Sequence, residues 1–323
     1  MKFSEEQLKR FAAPISDTED QKCKNALNMV RDALKDMGYA DDNDIKTLYP
    51  DTSSYAIEMR FNAIGGNSRT IKLFVQGSYA NRTNITAESD VDLAVVLEST
   101  FWGEYPLGIT AQSYGFTDSS DNLPAFKNDV EALLRRKFSY GVTRHNKSIE
   151  VKGNTYRVDA DTVPCGRFRD YRLDTGRNSS NYTPGIRIQP DDGNIIINYP
   201  EQHIANGIQK NKDTGYLFKK MVRIAKNIRS IMEEQNYQSA KGVSSFVIES
   251  LLWNVPEDVY KKYPSIYRYS FDEVIRYLYE NKDRLALFHE INGIKYLNAD
   301  DISRLDKCRS FIDDLHHFFE YDI

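Results

Sequence analysis

The sequence predicts an α+β protein in which an N-terminal helix and a mixed sheet precede a helical C-terminal lobe. Three observations predict it: apolar residues at helical spacing within residues 16–37, short alternating or apolar runs across 54–97, and a helical pattern from Pro200 onward. The chain has 323 residues, enough for two lobes around a cleft, and its 40% hydrophobic and 28% charged content is ordinary for a soluble globular protein.

The first helix carries Ala26, Leu27, Val30, Leu34 and Met37 on one face and stops at Gly38, a C-cap residue. YAIEMRFNAI, TIKLFVQGSY and VDLAVVLE read as strands, separated by Gly65-Gly66-Asn67 and by a polar bridge. Residues 101–122, which contain Phe116, Asp118, Ser119, Ser120 and Asp121, read as an insertion loop, and Leu123–Tyr140 as a helix. Two more strands follow, KSIEVKGN and TYRVDADTV. After Pro164 the chain turns polar through Asn178-Ser179-Ser180-Asn181, and GIRIQPDDGNIIINYP predicts a hairpin turning at Asp192-Gly193. The lobe boundary falls near Tyr199–Glu201, giving a first domain over residues 1–200, N-terminal helix included, and a helical lobe over 201–323.

A net charge of -4 and a pI near 5.8 provide no global basic field, so long nucleic acid is not an expected partner. Cys23, Cys165 and Cys308 are widely spaced, which points to neither a disulfide framework nor a zinc site. The N-terminus lacks an apolar signal core and no run of about 18 apolar residues occurs, so the expectation is a soluble cytoplasmic protein without a membrane partner.

Chemistry concentrates in Gly77-Ser78-Tyr79-Ala80 and Ser89-Asp90-Val91-Asp92-Leu93. Side chains two apart on a strand share a face, so Asp90 and Asp92 present paired carboxylates beside an apolar segment. Such a pair repels itself, and a hard oxygen-seeking cation such as magnesium relieves the repulsion. A third carboxylate on the later strand would complete a site for two magnesium ions; Asp159 and Asp161 share a face there, and spacing does not choose between them. Gly77 lets backbone approach an anion, and Ser78 with neighbouring amides can hold the phosphates of a nucleotide. The opposing reading of a DxD pair is a solvated surface, against which the apolar strand and the second acidic strand both weigh.

Lys219, Arg223 and Lys226 fall at i, i+4 and i+7 of a helical segment, with Val222, Ala225 and Ile228 or Ile231 turned to the core. This stripe fits a triphosphate, or is simply a solvated face. Ser244 and Ser245 open the next helix as a cap, or touch a phosphate. Tyr182, Asn198, Tyr199 and Tyr267 are candidate base contacts among 21 tyrosines, and His203, His316 and His317, lacking metal-ligand spacing, read as structural or surface residues.

GSYANRTNI, SDVDL, VDADTVP, INYPEQHIANGIQKN, FKKMVRIAKNIR and SSFVIESLLWNVP stand in an order that resembles the bacterial CD-NTases (cGAS/DncV-like nucleotidyltransferases). These are relatives of animal cyclic GMP-AMP synthase and the oligoadenylate synthetases, within the DNA polymerase β superfamily. The resemblance implies a polymerase β-like nucleotidyltransferase palm facing a helical lobe, with the N-terminal helix as a spine. It further implies that nucleoside triphosphates are joined into a cyclic di- or trinucleotide second messenger. In oligoadenylate synthetases the third catalytic Asp stands three residues before a proline, so the resemblance selects Asp161, before Pro164, over Asp159. It also places phosphate contacts on Arg223, Lys226 and Ser245, and more loosely on Lys219. No zinc-binding insertion like that of the animal enzyme is visible.

The leading expectation is a magnesium-dependent synthase, with manganese as a substitute metal, whose product acts on a separately encoded effector in antiphage defence. Two other readings stand beside it: a nucleotidyltransferase that modifies a tRNA end, a protein hydroxyl or an aminoglycoside, and a non-catalytic nucleotide-binding regulator.

Overall fold

The computed structural model describes residues 3–50, 52–61, 68–86, 90–119, 121–138 and 140–319; the Gly65-Gly66-Asn67 turn, Ser89 and Ser120 lie outside them. The chain divides into two compact units. One comprises residues 1–16, 81–89 and 202–323, the other residues 17–80 and 90–201. One division falls after Glu201, and the first 16 residues and the 81–89 stretch group with the C-terminal helices.

Helix α1 (Glu5–Phe11) belongs to the helical unit, and α2 (Asp17–Lys35) opens the sheet unit. The sheet contains β1 (Ala40–Asp41), β2 (Lys46–Thr47), β3 (Tyr55–Phe61), β4 (Arg69–Gln76) and β5 (Val91–Glu104). After helix α3 (Gly77–Asn81), which joins β4 to the 81–89 stretch, and α4 (Leu123–Lys137) come β6 (Val142–Arg144), β7 (Ile149–Val151), β8 (Ala160–Asp170), β9 (Thr183–Ile188) and β10 (Ile196–Asn198). The order is β1-β3-β4-β5-β8-β7-β6, with β2 on β3, β9 on β8 and β10 on β9. Among the described residues only β5 and β8 pair in parallel, and the long connection between them carries α4, the usual element of a parallel crossover.

Both faces of the central strands are buried, which explains their near-continuous apolar runs. On one face Ala56, Phe74, Ala94, Val96, Val163, Cys165, Ile186 and Ile188 form a core. Helix α2, burying Cys23, Ala26, Leu27, Val30, Ala33 and Leu34, packs on β4, β5 and α4, and α4 packs on β8.

Two strands outrun their sequence signals. Strand β5 continues to Glu104 after a bulge in which Leu97 pairs with Gly166 and Phe101 with Arg167, so the insertion loop starts after residue 104 rather than at 101. Stacking of Tyr105 on Tyr171 (5.4 Å) and edge contact of Phe101 with Phe116 (4.8 Å) hold that loop to the sheet. Strand β8 likewise passes through Pro164 to Asp170. Pro164 falls between the residues paired with β7 and those paired with β9, a place the ladder tolerates.

The helical unit contains α6 (Phe218–Glu234), α7 (Gln238–Lys241), α8 (Ser245–Trp253), α9 (Glu257–Lys261), α10 (Tyr267–Glu280) and α11 (Arg304–Phe319), after α5 (Pro200–Asp213) at the junction. Its core gathers Leu8 from α1 with Met221, Ile224, Ile228, Ile248, Leu251, Phe271 and Phe311. Among the described residues no helix is long and apolar enough to cross a membrane.

Candidate active site

Strands β5 and β8 set Asp92 directly beside Asp161, between the pairs Val91–Ala160 and Leu93–Thr162. Period-two alternation puts Asp92 on the face of Ala94 and Val96, and Asp161 on the face of Val163 and Cys165, so both carboxylates terminate one apolar core face. Asp90 precedes β5 by one residue. Asp159 likewise precedes β8 by one residue, whereas Asp161, the residue that the resemblance selects, lies on the strand. Its carboxylate accepts from Gly153 N–H at 2.6 Å and from Lys152 Nζ at 3.0 Å.

Electrostatics separate these groups. Burial pushes the Asp161 carboxyl above its ordinary pKa, with Glu150 adding to the rise, while a hydrogen bond from Ser148 opposes it. Asp90 is also raised, by burial first and then by the neighbouring charges of Asp159 and Asp161. For Asp159 burial acts upward, but Gly153 N–H and Lys152 outweigh it and hold the carboxyl below its usual value. Glu150 stands opposite Asp161 in the antiparallel β7–β8 ladder and is ion-paired with Lys152. The sequence reading missed Glu150. Alternation within KSIEVKGN, with Ile149 and Val151 facing the core, was the available signal.

Gly77 follows β4 with φ +68, a left-handed conformation that favours glycine. A Cβ there would lie 2.3 Å from Asp92 Oδ2, so the turn and the carboxylate occupy adjoining space only because residue 77 has no side chain. Ser78 follows within the short α3.

Oxygen-only donors whose carboxyls are raised by burial and mutual charge match a hard divalent cation, which relieves both penalties. As the side chains stand, no group of three His, Cys, Asp or Glu among the described residues is gathered to hold a metal. The fit therefore lies in strand register and donor chemistry.

Residues 205–320 match a family described as the cGAS/DncV-like nucleotidyltransferase C-terminal helical domain. The whole chain is 41% identical over 322 residues, 99% of this chain and 98% of the relative, to a cyclic GMP-AMP synthase, CdnE03, of Staphylococcus schleiferi. This chain belongs to the cGAS/DncV-like nucleotidyltransferases. The nucleotidyltransferase is also 34% identical, over 91% of its length and 90% of the relative's, to a cyclic dipyrimidine nucleotide synthase of Legionella pneumophila. Among solved structures it resembles the Elizabethkingia meningoseptica CdnE cyclic dinucleotide synthase with GTP and Apcpp, at TM-score 0.73, 29% identity and coverage of 99% and 100% of the two chains.

In the helical unit of the nucleotidyltransferase the basic stripe is neither solvated nor open. Lys219, Arg223 and Lys226 are 8%, 5% and 0% exposed, because α6 is buried on nearly all sides. Arg223 donates to the carbonyls of Ala12 (2.7 Å) and Arg82 (2.5 Å), and burial pushes its pKa down to about 10. Lys226 Nζ donates to Glu249 Oε1 at 2.7 Å. Ser244 caps α8 by accepting from Val247 N–H, and Ser245 is the first helical residue. His203 is buried against Glu249, His316 stacks on Tyr279, and Tyr199 donates to Asp170 at 2.9 Å.

Proposed function

We propose that this nucleotidyltransferase joins two nucleoside triphosphates into a cyclic dinucleotide in the cytoplasm, releasing pyrophosphate at each of two transfers. The observation that carries the reading is the register of Asp92 on Asp161, with Gly77 packed against Asp92. In each transfer a ribose hydroxyl oxygen bonds to an α-phosphorus, the α–β bridging bond breaks, and the hydroxyl proton passes to a base. Asp161 is the proposed base. Without metal, burial and the neighbouring Glu150 carboxylate raise the proton affinity of its carboxylate, and the Ser148 hydroxyl donates to it. Gly77 admits the phosphate chain close to the backbone, where the Ser78 hydroxyl can donate to it. Magnesium, or manganese in its place, is the proposed cofactor of Asp90, Asp92 and Asp161, supplying phosphate charge neutralisation and a lowered hydroxyl pKa when bound.

The named products of the Staphylococcus and Legionella relatives support a ring of two nucleotides. Those relatives differ in bases, which fits a base choice made by a few contacts rather than by the carboxylate machinery. Lys219, Arg223, Lys226 and Ser245 remain proposed nucleotide contacts, as the family resemblance implies. Family resemblance alone supports the further step, in which the product switches on a separately encoded effector in antiphage defence.

The test is mass spectrometry of phosphatase-treated reactions containing the four ribonucleoside triphosphates and magnesium. A cyclic dinucleotide is the outcome foreseen. Label recovered only in a linear chain, a protein or an RNA end would overturn the reading.

A further inference from the structure

Glu249 is 2% exposed and collects three donors from three separate segments of the helical unit. Thr83 Oγ1 lies 2.5 Å from Oε1, Lys226 Nζ lies 2.7 Å from the same oxygen, and His203 Nε2 lies 3.1 Å from Oε2. Burial by itself would raise the pKa of this carboxyl, yet Lys226 and His203 hold it well below the carboxylate range. An ionised carboxylate only accepts, so Nε2 of His203 carries a proton and donates.

Thr83 is the informative partner. It sits in the segment running from α3, which begins with Gly77 and Ser78, to Asp90 at the head of β5. Asn81, Thr83, Asn84 and Ile85 are at most 5% exposed, and Arg223 Nη1 donates to the Arg82 carbonyl, where the backbone adopts φ +54. A loop that only connected two elements would stay at the surface and tolerate change. This one is buried, strained at Arg82, and fastened by a charged side chain at each of two neighbouring residues.

We infer that Glu249 is a positioning residue for nucleotidyl transfer: together with Arg223 it anchors the 81–86 loop, and so holds the chain where it leaves the short helix that begins with Gly77 and Ser78. Resting on the reading given under Proposed function, it assigns Glu249 and Thr83 a part in the reaction though neither touches substrate. A displacement of about 1 Å at reacting groups is enough to slow a reaction about a hundredfold, so a loop between two motifs is an economical place to spend a buried carboxylate.

Thr83→Val tests this without unpairing a charge, because Lys226 and His203 keep Glu249, and Thr83→Ser restores the hydroxyl. Two readouts are taken on the full chain. Hydrogen exchange of the residue 81–86 amides should accelerate in T83V and return toward wild type in T83S, with protection elsewhere in the helical unit unchanged. Steady-state pyrophosphate release should lose about tenfold to a hundredfold in kcat in T83V, with KM for triphosphate within about twofold, and T83S should recover. Unchanged exchange overturns the anchoring, while faster exchange with intact kcat overturns the positioning role. A wild-type protein that releases no pyrophosphate would remove the functional reading, and the exchange experiment would still decide whether Glu249 anchors the loop.

Discussion

Gly77 and Asp92 share a space that holds one side chain: a Cβ on Gly77 would stand 2.3 Å from Asp92 Oδ2. The turn and the carboxylate strand are thereby locked together, since β4 and β5 pair through Gln76 and Asp92 immediately beside the contact.

Gly77→Ala therefore strains the backbone at φ +68 and displaces Asp92 together. The backbone part costs about 1 kcal/mol of stability. Pyrophosphate release should fall about a hundredfold or more, because the carboxylate is moved rather than removed. Wild-type turnover in a folded G77A protein would show that this contact has no part in the reaction.

Asp159 and Asp161 should part company on substitution. Asp161→Asn removes the carboxylate registered with Asp92 and is expected to lower kcat about 10²–10³-fold. Asp159→Asn, whose carboxylate is already held by Gly153 and Lys152, should cost less than about tenfold. Equal losses in the two variants would contradict the assignment.

The same carboxylates set a pH dependence of metal-free stability. Asp90 and Asp161 titrate above their ordinary 3.8 in the folded protein, chiefly through burial, so the folded state binds protons more tightly than the unfolded one. That contribution is full below the unfolded pKa and is lost as pH rises through the raised folded value. In chelator, D161N should thus melt higher than wild type at neutral pH, with the advantage vanishing in acid below 3.8. A thermal melt showing no advantage at neutral pH would contradict the buried-charge account.

Adding magnesium should reverse that order. A cation held by Asp90, Asp92 and Asp161 stabilises the folded state by mass action, so the wild-type melting midpoint should climb with magnesium concentration. Asp92→Asn and Asp161→Asn should show little or no climb. Equal magnesium shifts in all three proteins would place the ion elsewhere.

Lys226 and Glu249 make a separate prediction about stability. Both side chains are buried, at 0% and 3% exposure, so removing either strands a charge, at a cost of about 3–5 kcal/mol. Lys226→Met and Glu249→Leu should each lower the denaturation midpoint strongly, whereas the two combined should recover much of the loss. A double variant as unstable as the sum of the singles would mean that the pair is not coupled.

Much of this was legible in the amino-acid order. The period-3.6 pattern of α2, the hairpin turning at Gly193 and the helical run after Pro200 are local signals, and each stands near its expected place. Strand ends were less legible, because Phe101–Glu104 and Cys165–Asp170 are held by neighbours across the sheet and by aromatic contacts rather than by their own alternation. The charged stripe on α6 shows the limit most plainly. Lys219, Arg223 and Lys226 carry the spacing of an exposed face, and what buries Lys226 is a glutamate 23 positions further on, reinforced by a threonine from before β5.

Sequence alone determined that two closely spaced aspartates end an apolar strand, that a glycine-serine turn precedes them and that a second acidic strand follows, since each rests on spacing within a few residues. Only the tertiary structure decided which later aspartate stands beside Asp92, that Gly77 abuts it, that Glu150 shares its face and that Lys226 is committed to Glu249. The reason is physical: backbone geometry propagates side-chain direction along one element, whereas register between strands and the pairing of buried charges depend on chain segments far apart in the sequence.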